Sequence, residues 1–158
     1  MKCNIAACQL KLEEWGDAVK SAGAALEGLG RLVARDAEEE KEEKEEAEEV
    51  EEEIVSKGAS LAAPAPEQED ERGKRRKEWE RIRAKALLRR ARARCELGGW
   101  HNLAGAEEDY KALDGMDNLG AADRKMVSRQ LRELPPKTKA AQEKEMAEMW
   151  WKLKDVSA

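Results

Sequence analysis

Lys85 and Arg89 lie four residues apart in a run with helical spacing, and Arg92 follows one turn later. Residues at i and i+4 share a helix face, so an ammonium and a guanidinium can reach one anion. An arginine fork holds a carboxylate through two parallel hydrogen bonds. The chemistry open to this row is therefore capture of an acidic group. No catalytic constellation accompanies it. His101, the one histidine, stands beside Trp100 without a Cys or Asp placed for nucleophilic work. The abundant carboxylates occur in solvated runs rather than as a pair with separated pKa values. Gly98-Gly99 stands alone, outside any phosphate-binding loop, and reads as a helix cap. The three cysteines, Cys3, Cys8 and Cys95, lack CxxC spacing and so do not suggest zinc, and their odd number suits a reducing compartment. The expectation is a binding protein with no enzymatic activity, cofactor or metal.

Composition narrows the class. In 158 residues the net charge is -5 and 41% of side chains are charged, which leaves less core than the length permits. Five Trp and no Phe fit an elongated helical object better than a compact one. No signal peptide is visible, and no apolar run approaches the roughly 20 residues of a membrane span. The expectation is a soluble cytoplasmic or nuclear protein with no membrane contact.

The row must be carried by a helix. Lys85–Leu97 ends at Gly98-Gly99, and a second helical pattern follows Trp100, with Ala104, Ala106, Tyr110, Ala112 and Leu113 inward and Glu107, Glu108 and Lys111 outward. Basic residues begin at Arg72, and Trp79, Ile82, Ala86 and Arg90 fall near one face, which predicts a helix start near Lys77. The segment 72–94 is basic enough to suggest an alternative of another class, a nucleic-acid or ribosome contact made on phosphates. Against it stand the net negative charge, the lack of interleaved aromatics, and a Glu block that could neutralise this helix within the chain. That block, from about Asp36 to Glu53, is expected as a frayed helix, and Ser56–Gly73, with Pro64 and Pro66, as a flexible linker. A helix over Ala121–Leu134 is expected to break at Pro135-Pro136. A last one, about Lys137–Asp155, is expected to turn Met146, Met149, Trp150 and Leu153 inward, leaving Trp151 the more exposed.

The helix pair at 85–113 has an earlier counterpart. Asn4 to Leu12 leads through Glu13-Glu14-Trp15-Gly16-Asp17 into Ala18 to Leu26. Ala6 and Ala91 match as small residues of the first helix, Ala18 and Ala106 as those opening the second, and Ala25-Leu26 and Ala112-Leu113 as its end. Together the pairs resemble the tetratricopeptide repeat family. The tail, with Leu134-Pro135-Pro136-Lys137 and Lys152-Leu153-Lys154-Asp155, is similar to a C-terminal segment known in that family. The resemblance implies an all-α helical-hairpin solenoid: a first repeat over 1–35, a Glu-rich insertion and linker over 36–71, a basic helix and second repeat over 72–115, and capping helices over 116–158. It also implies a portion of a longer array or an abbreviated gene product, because Met1 lies so close to the first repeat.

The family's co-chaperone members use a carboxylate clamp for the acidic C-terminal tail of heat-shock chaperones. The resemblance implies that Asn4, Lys85 and Arg89 take clamp positions, with Arg92 extending the positive lining. The family's clamp also takes a Lys and an Asn from a preceding repeat, which this chain does not carry; if nothing precedes Met1, the resemblance implies a half-built clamp and weak binding. The implied partner is a heat-shock chaperone tail or another acidic peptide.

Overall fold

The computed structural model describes residues 1–57 and 66–156, with side chains over 1–45 and 71–154. Those residues form five helices and no strand: α1 (Lys2–Lys11), α2 (Trp15–Lys57), α3 (Pro66–Leu97), α4 (Trp100–Asp114) and α5 (Ala121–Val156). The chain divides into two compact units, one of Met1–Leu26 with Glu80–Ala158 and the other of Glu27–Trp79.

In the first unit, small residues sit where helices approach. Ala6, Ala18, Ala22, Ala91, Ala93 and Ala106 are fully buried. Alanine brings backbones close without a rotamer cost and has the highest helix propensity. The larger core side chains are Leu87, Leu103, Tyr110, Leu113, Val127 and Leu134, from α3, α4 and α5. Burying Tyr110 or Leu113 is worth about 1.5–3 kcal/mol each. Gly98 and Gly99, at φ 65° and 75°, make the left-handed stop between α3 and α4 that their sequence suggested. At the start of α4, the Trp100 N–H donates to Glu145 Oε1 at 2.9 Å, so a carboxylate from α5 satisfies an orphan donor at the positive end of the α4 dipole.

The second unit pairs the 27–57 part of α2 with the 66–79 part of α3. Asp36 faces Arg75 at 3.5 Å, Glu40 pairs with Arg76, and Glu43 with Arg72. From Asp36 to Glu43 the partner moves back from Arg75 to Arg72, as an antiparallel pair requires. The Glu block is thus part of one 43-residue helix, and three of its neighbouring acids meet arginines of the basic run. Like charges at i,i+4 cost a few tenths of a kcal/mol per pair, and these arginines offset that cost locally.

Several expectations are corrected. Helix α3 starts at Pro66, not near Lys77, so the expected linker is helical from that residue onward; proline suits the first helical position because its missing N–H is an orphan there anyway. The stretch 58–65 lies outside the described residues. Pro135-Pro136 does not break the chain into two helices: α5 runs through both. Contacts hold it on either side of the pair. Val127 and Leu134 are buried before the prolines; after them Ala141 packs on the core and Glu145 binds Trp100. Between them the Thr138 hydroxyl lies against the Leu134 carbonyl at 3.1 Å and the Glu107 carboxylate. Met146, Met149, Trp150 and Leu153 do not face inward. They are 47%, 54%, 69% and 58% exposed, and Trp151 at 67% is no more exposed than Trp150. Helical spacing marks an apolar face but does not say what lies opposite it. Ala112, expected inward, is exposed, while Asp109 between the outward residues is buried.

Candidate peptide-binding face

Two arginines of α3 explain why Asp109 can be buried. Arg90 donates to both of its oxygens, Nε to Oδ2 at 3.0 Å and Nη2 to Oδ1 at 2.6 Å. Arg94 Nη1 donates to Oδ2 at 2.9 Å and to the Gly105 carbonyl at 2.8 Å. A carboxylate with only 2% exposure is tolerable because its lone pairs are met by charged donors. The network fixes the rotation of α3 about its axis. Gly105 belongs to it, since a Cβ there would sit 2.8 Å from the Arg94 guanidinium. Next to it, Tyr110 neighbours the Cys95 thiol; burial pushes the Cys95 pKa up, and burial likewise raises that of Tyr110.

With Arg90 and Arg94 held on α4, the row Lys85, Arg89, Arg92 turns to another side of α3. Arg89 is half-buried and reaches α1: its Nη1 donates to the Cys3 carbonyl and lies 2.8 Å from Cys3 Sγ. Asn4, the next residue, is exposed. Arg92 reaches α5, with Nη2 4.0 Å from Met126 Sδ. Lys85 is exposed and helps line a hollow of about 120 Å³ with Arg81, Leu88, Asn118 and Asp123. The structure therefore brings Arg89 to Cys3 in the first turn of α1, and sets Lys85 and Arg92 along the α5 side of the same row. Among the described residues, none of the three has a carboxylate partner.

Sequence reasoning missed a second cationic hollow, of about 720 Å³, on α5. Arg124, Lys125, Ser128, Arg129 and Arg132 line it, with Glu133 as its one acid. The signal was in the spacing. Lys125, Arg129 and Arg132 repeat the intervals of Lys85, Arg89 and Arg92, and Val127 is buried where Leu87 is buried. Two of these cations are partly engaged, Arg129 with Glu133 at 2.6 Å and Arg124 with the Asp117 carbonyl at 3.2 Å. Lys125 and Arg132 have no ion pair among the described residues.

Among the described residues, no group of three or more His, Cys, Asp or Glu could hold a metal ion, and no helix is long and apolar enough to cross a membrane. The three cysteines are free thiols, with Cys8 exposed. No protein-family model matches the chain, and no curated protein or solved structure is significantly similar to it.

Proposed function

We propose that this protein is a binding adaptor of the tetratricopeptide kind that receives the acidic, carboxylate-terminated end of another protein along Lys85, Arg89 and Arg92. The heat-shock chaperone tail is the partner class that the family resemblance suggests. One observation carries the reading. Five arginines of α3, namely Arg72, Arg75, Arg76, Arg90 and Arg94, are matched to Asp or Glu of the same chain, while among the described residues this row of three, like Lys77, Arg81 and Arg83, is not. A row of cations left without acids suits an acid supplied from outside. Arg89 adds pre-organisation, because its bond to the Cys3 carbonyl holds it against the first turn of α1. The second cationic row on α5 would extend the track for a longer acidic segment.

The same matching argues against nucleic-acid binding, since five arginines of the basic run 72–94 are already neutralised. The test is calorimetric titration with an acidic peptide ending in Asp. Micromolar binding is expected, falling at least tenfold when the peptide is amidated or when Lys85→Ala is combined with Arg92→Ala. Equal affinity in all cases removes this proposal. A preference for oligonucleotide over peptide, with a steep salt dependence, would favour the other class.

A further inference from the structure

The end of α5 presents Met146, Met149, Trp150 and Leu153 at intervals of three and four residues, each about half exposed or more. Trp151 lies about 100° further round the helix than Trp150, beyond the stripe, and Trp150, Trp151, Leu153 and Lys154 enclose a hollow of about 430 Å³. Trp150, about two-thirds exposed, presents on the order of 150 Å² on its own. With the methionines and Leu153, the patch reaches the size that on a monomer marks an interaction surface. None of these residues belongs to the peptide-binding row.

The flanking charges indicate what covers it. At about 100° per residue, Glu143 and Lys154 border the apolar stripe on one edge, and Glu145 and Lys152 border it on the other. Each edge is acidic at its start and basic at its end. A parallel copy of the helix would set Glu beside Glu and Lys beside Lys. An antiparallel copy, related by a two-fold axis near Met149, sets Glu143 beside Lys154 of the other copy, while Glu145, whose carboxylate accepts from the Trp100 N–H of its own chain, stays out of the pairing. The segment is thus complementary to itself in one orientation, as a two-fold symmetric interface demands. We propose that this face is a homodimer interface in which the ends of two α5 helices pair antiparallel, with Trp150 and Leu153 of each copy against the methionines of the other.

The test is sedimentation equilibrium of the full chain across low to high micromolar concentration. Wild type should show a monomer–dimer equilibrium. Trp150→Ala, an exposed position whose loss leaves the fold intact, should weaken it at least tenfold, as expected for an aromatic anchor. Lys154→Glu should weaken it severalfold by placing Glu beside Glu143 of the other copy. Adding Glu143→Lys in the same chain should restore it, which neither a general loss of hydrophobicity nor misfolding would do. A chain that stays monomeric throughout, or a dimer indifferent to Trp150→Ala, overturns the proposal. Flotation of a monomeric chain with anionic vesicles, lost in Trp150→Ala, would assign the stripe to a lipid surface instead. These outcomes are independent of peptide affinity, so failure here leaves the adaptor reading standing.

Discussion

The two units use arginine on the same helix in different ways. In the unit 27–79, Arg72, Arg75 and Arg76 meet Glu43, Asp36 and Glu40 at the surface, with the Arg side chains 30–56% exposed. In the other unit, Arg90 and Arg94 converge on an Asp109 that is almost wholly buried. Exposed pairs exchange water for a partner at nearly equal free energy, so they choose register more than they stabilise. A buried charge has no water to return to, and losing one side of it leaves the other stranded. The difference implies that the Asp109 network holds the bundle in place, and that the surface pairs keep a Glu-rich helix compatible with its basic neighbour. Between these stretches, Lys85, Arg89 and Arg92, like Arg81 and Arg83, belong to neither scheme among the described residues, and the proposed ligand would draw on the first three.

The sharpest way to break this contrast is Asp109→Ala. It leaves two half-buried guanidiniums without their acid and should cost about 3–5 kcal/mol in urea unfolding; a loss no larger than that of a surface pair would erase the distinction. The glycines sharpen it at smaller scale. Gly28 in α2 has open space around its Cβ position, so Gly28→Ala should stabilise by about 0.5–1 kcal/mol through helix propensity. Gly105→Ala meets the Arg94 guanidinium and should forfeit that gain, with a lower urea midpoint than wild type.

A smaller effect is expected on alkaline titration. The Cys95 and Tyr110 pKa values are raised by burial in the folded bundle. Their contribution is therefore complete below the unfolded thiol pKa of about 8.5 and is lost as pH rises through the folded values, because the unfolded chain releases its protons first. The urea midpoint should fall between pH 8 and pH 10, and fall less in Cys95→Ala. The smallest effect belongs to the surface scheme. The Lys44 and Arg76 charges hold the Glu40 carboxyl below its usual range, yet Glu40→Gln should leave the thermal midpoint at high salt indistinguishable from wild type.

What could be read from the sequence follows the reach of each signal. The Gly98-Gly99 stop is local chemistry, and it appears where its residues said it would. The helical class follows from periodicity over long runs, and Ala6, Ala18, Ala91 and Ala106, which match as small residues between the two helix pairs, are all fully buried. Pro135-Pro136 misled because a local breaker was weighed without the packing of Leu134 and Ala141 on either side of it. Asp109 was passed over because an acid between Glu108 and Tyr110 looks solvated until two arginines a helix away are seen to aim at it. The tryptophans of α5 show the same limit in reverse: an apolar stripe names a face that wants cover, and only the fold tells whether this chain supplies it. For the candidate site, the spacing of Lys85, Arg89 and Arg92 was legible, whereas the division of that row between α1 and α5 was not. The row at Lys125, Arg129 and Arg132 carries the same spacing signal.

The most direct test of the central claim is backbone-amide shift mapping by NMR on titration with an acidic peptide that ends in a free carboxylate. The account predicts perturbations concentrated at residues 85–92 of α3 and in the first turn of α1 around Cys3 and Asn4, with residues 72–76 silent because their arginines are already matched. Shifts centred on 72–76, or none anywhere on α3, would contradict it.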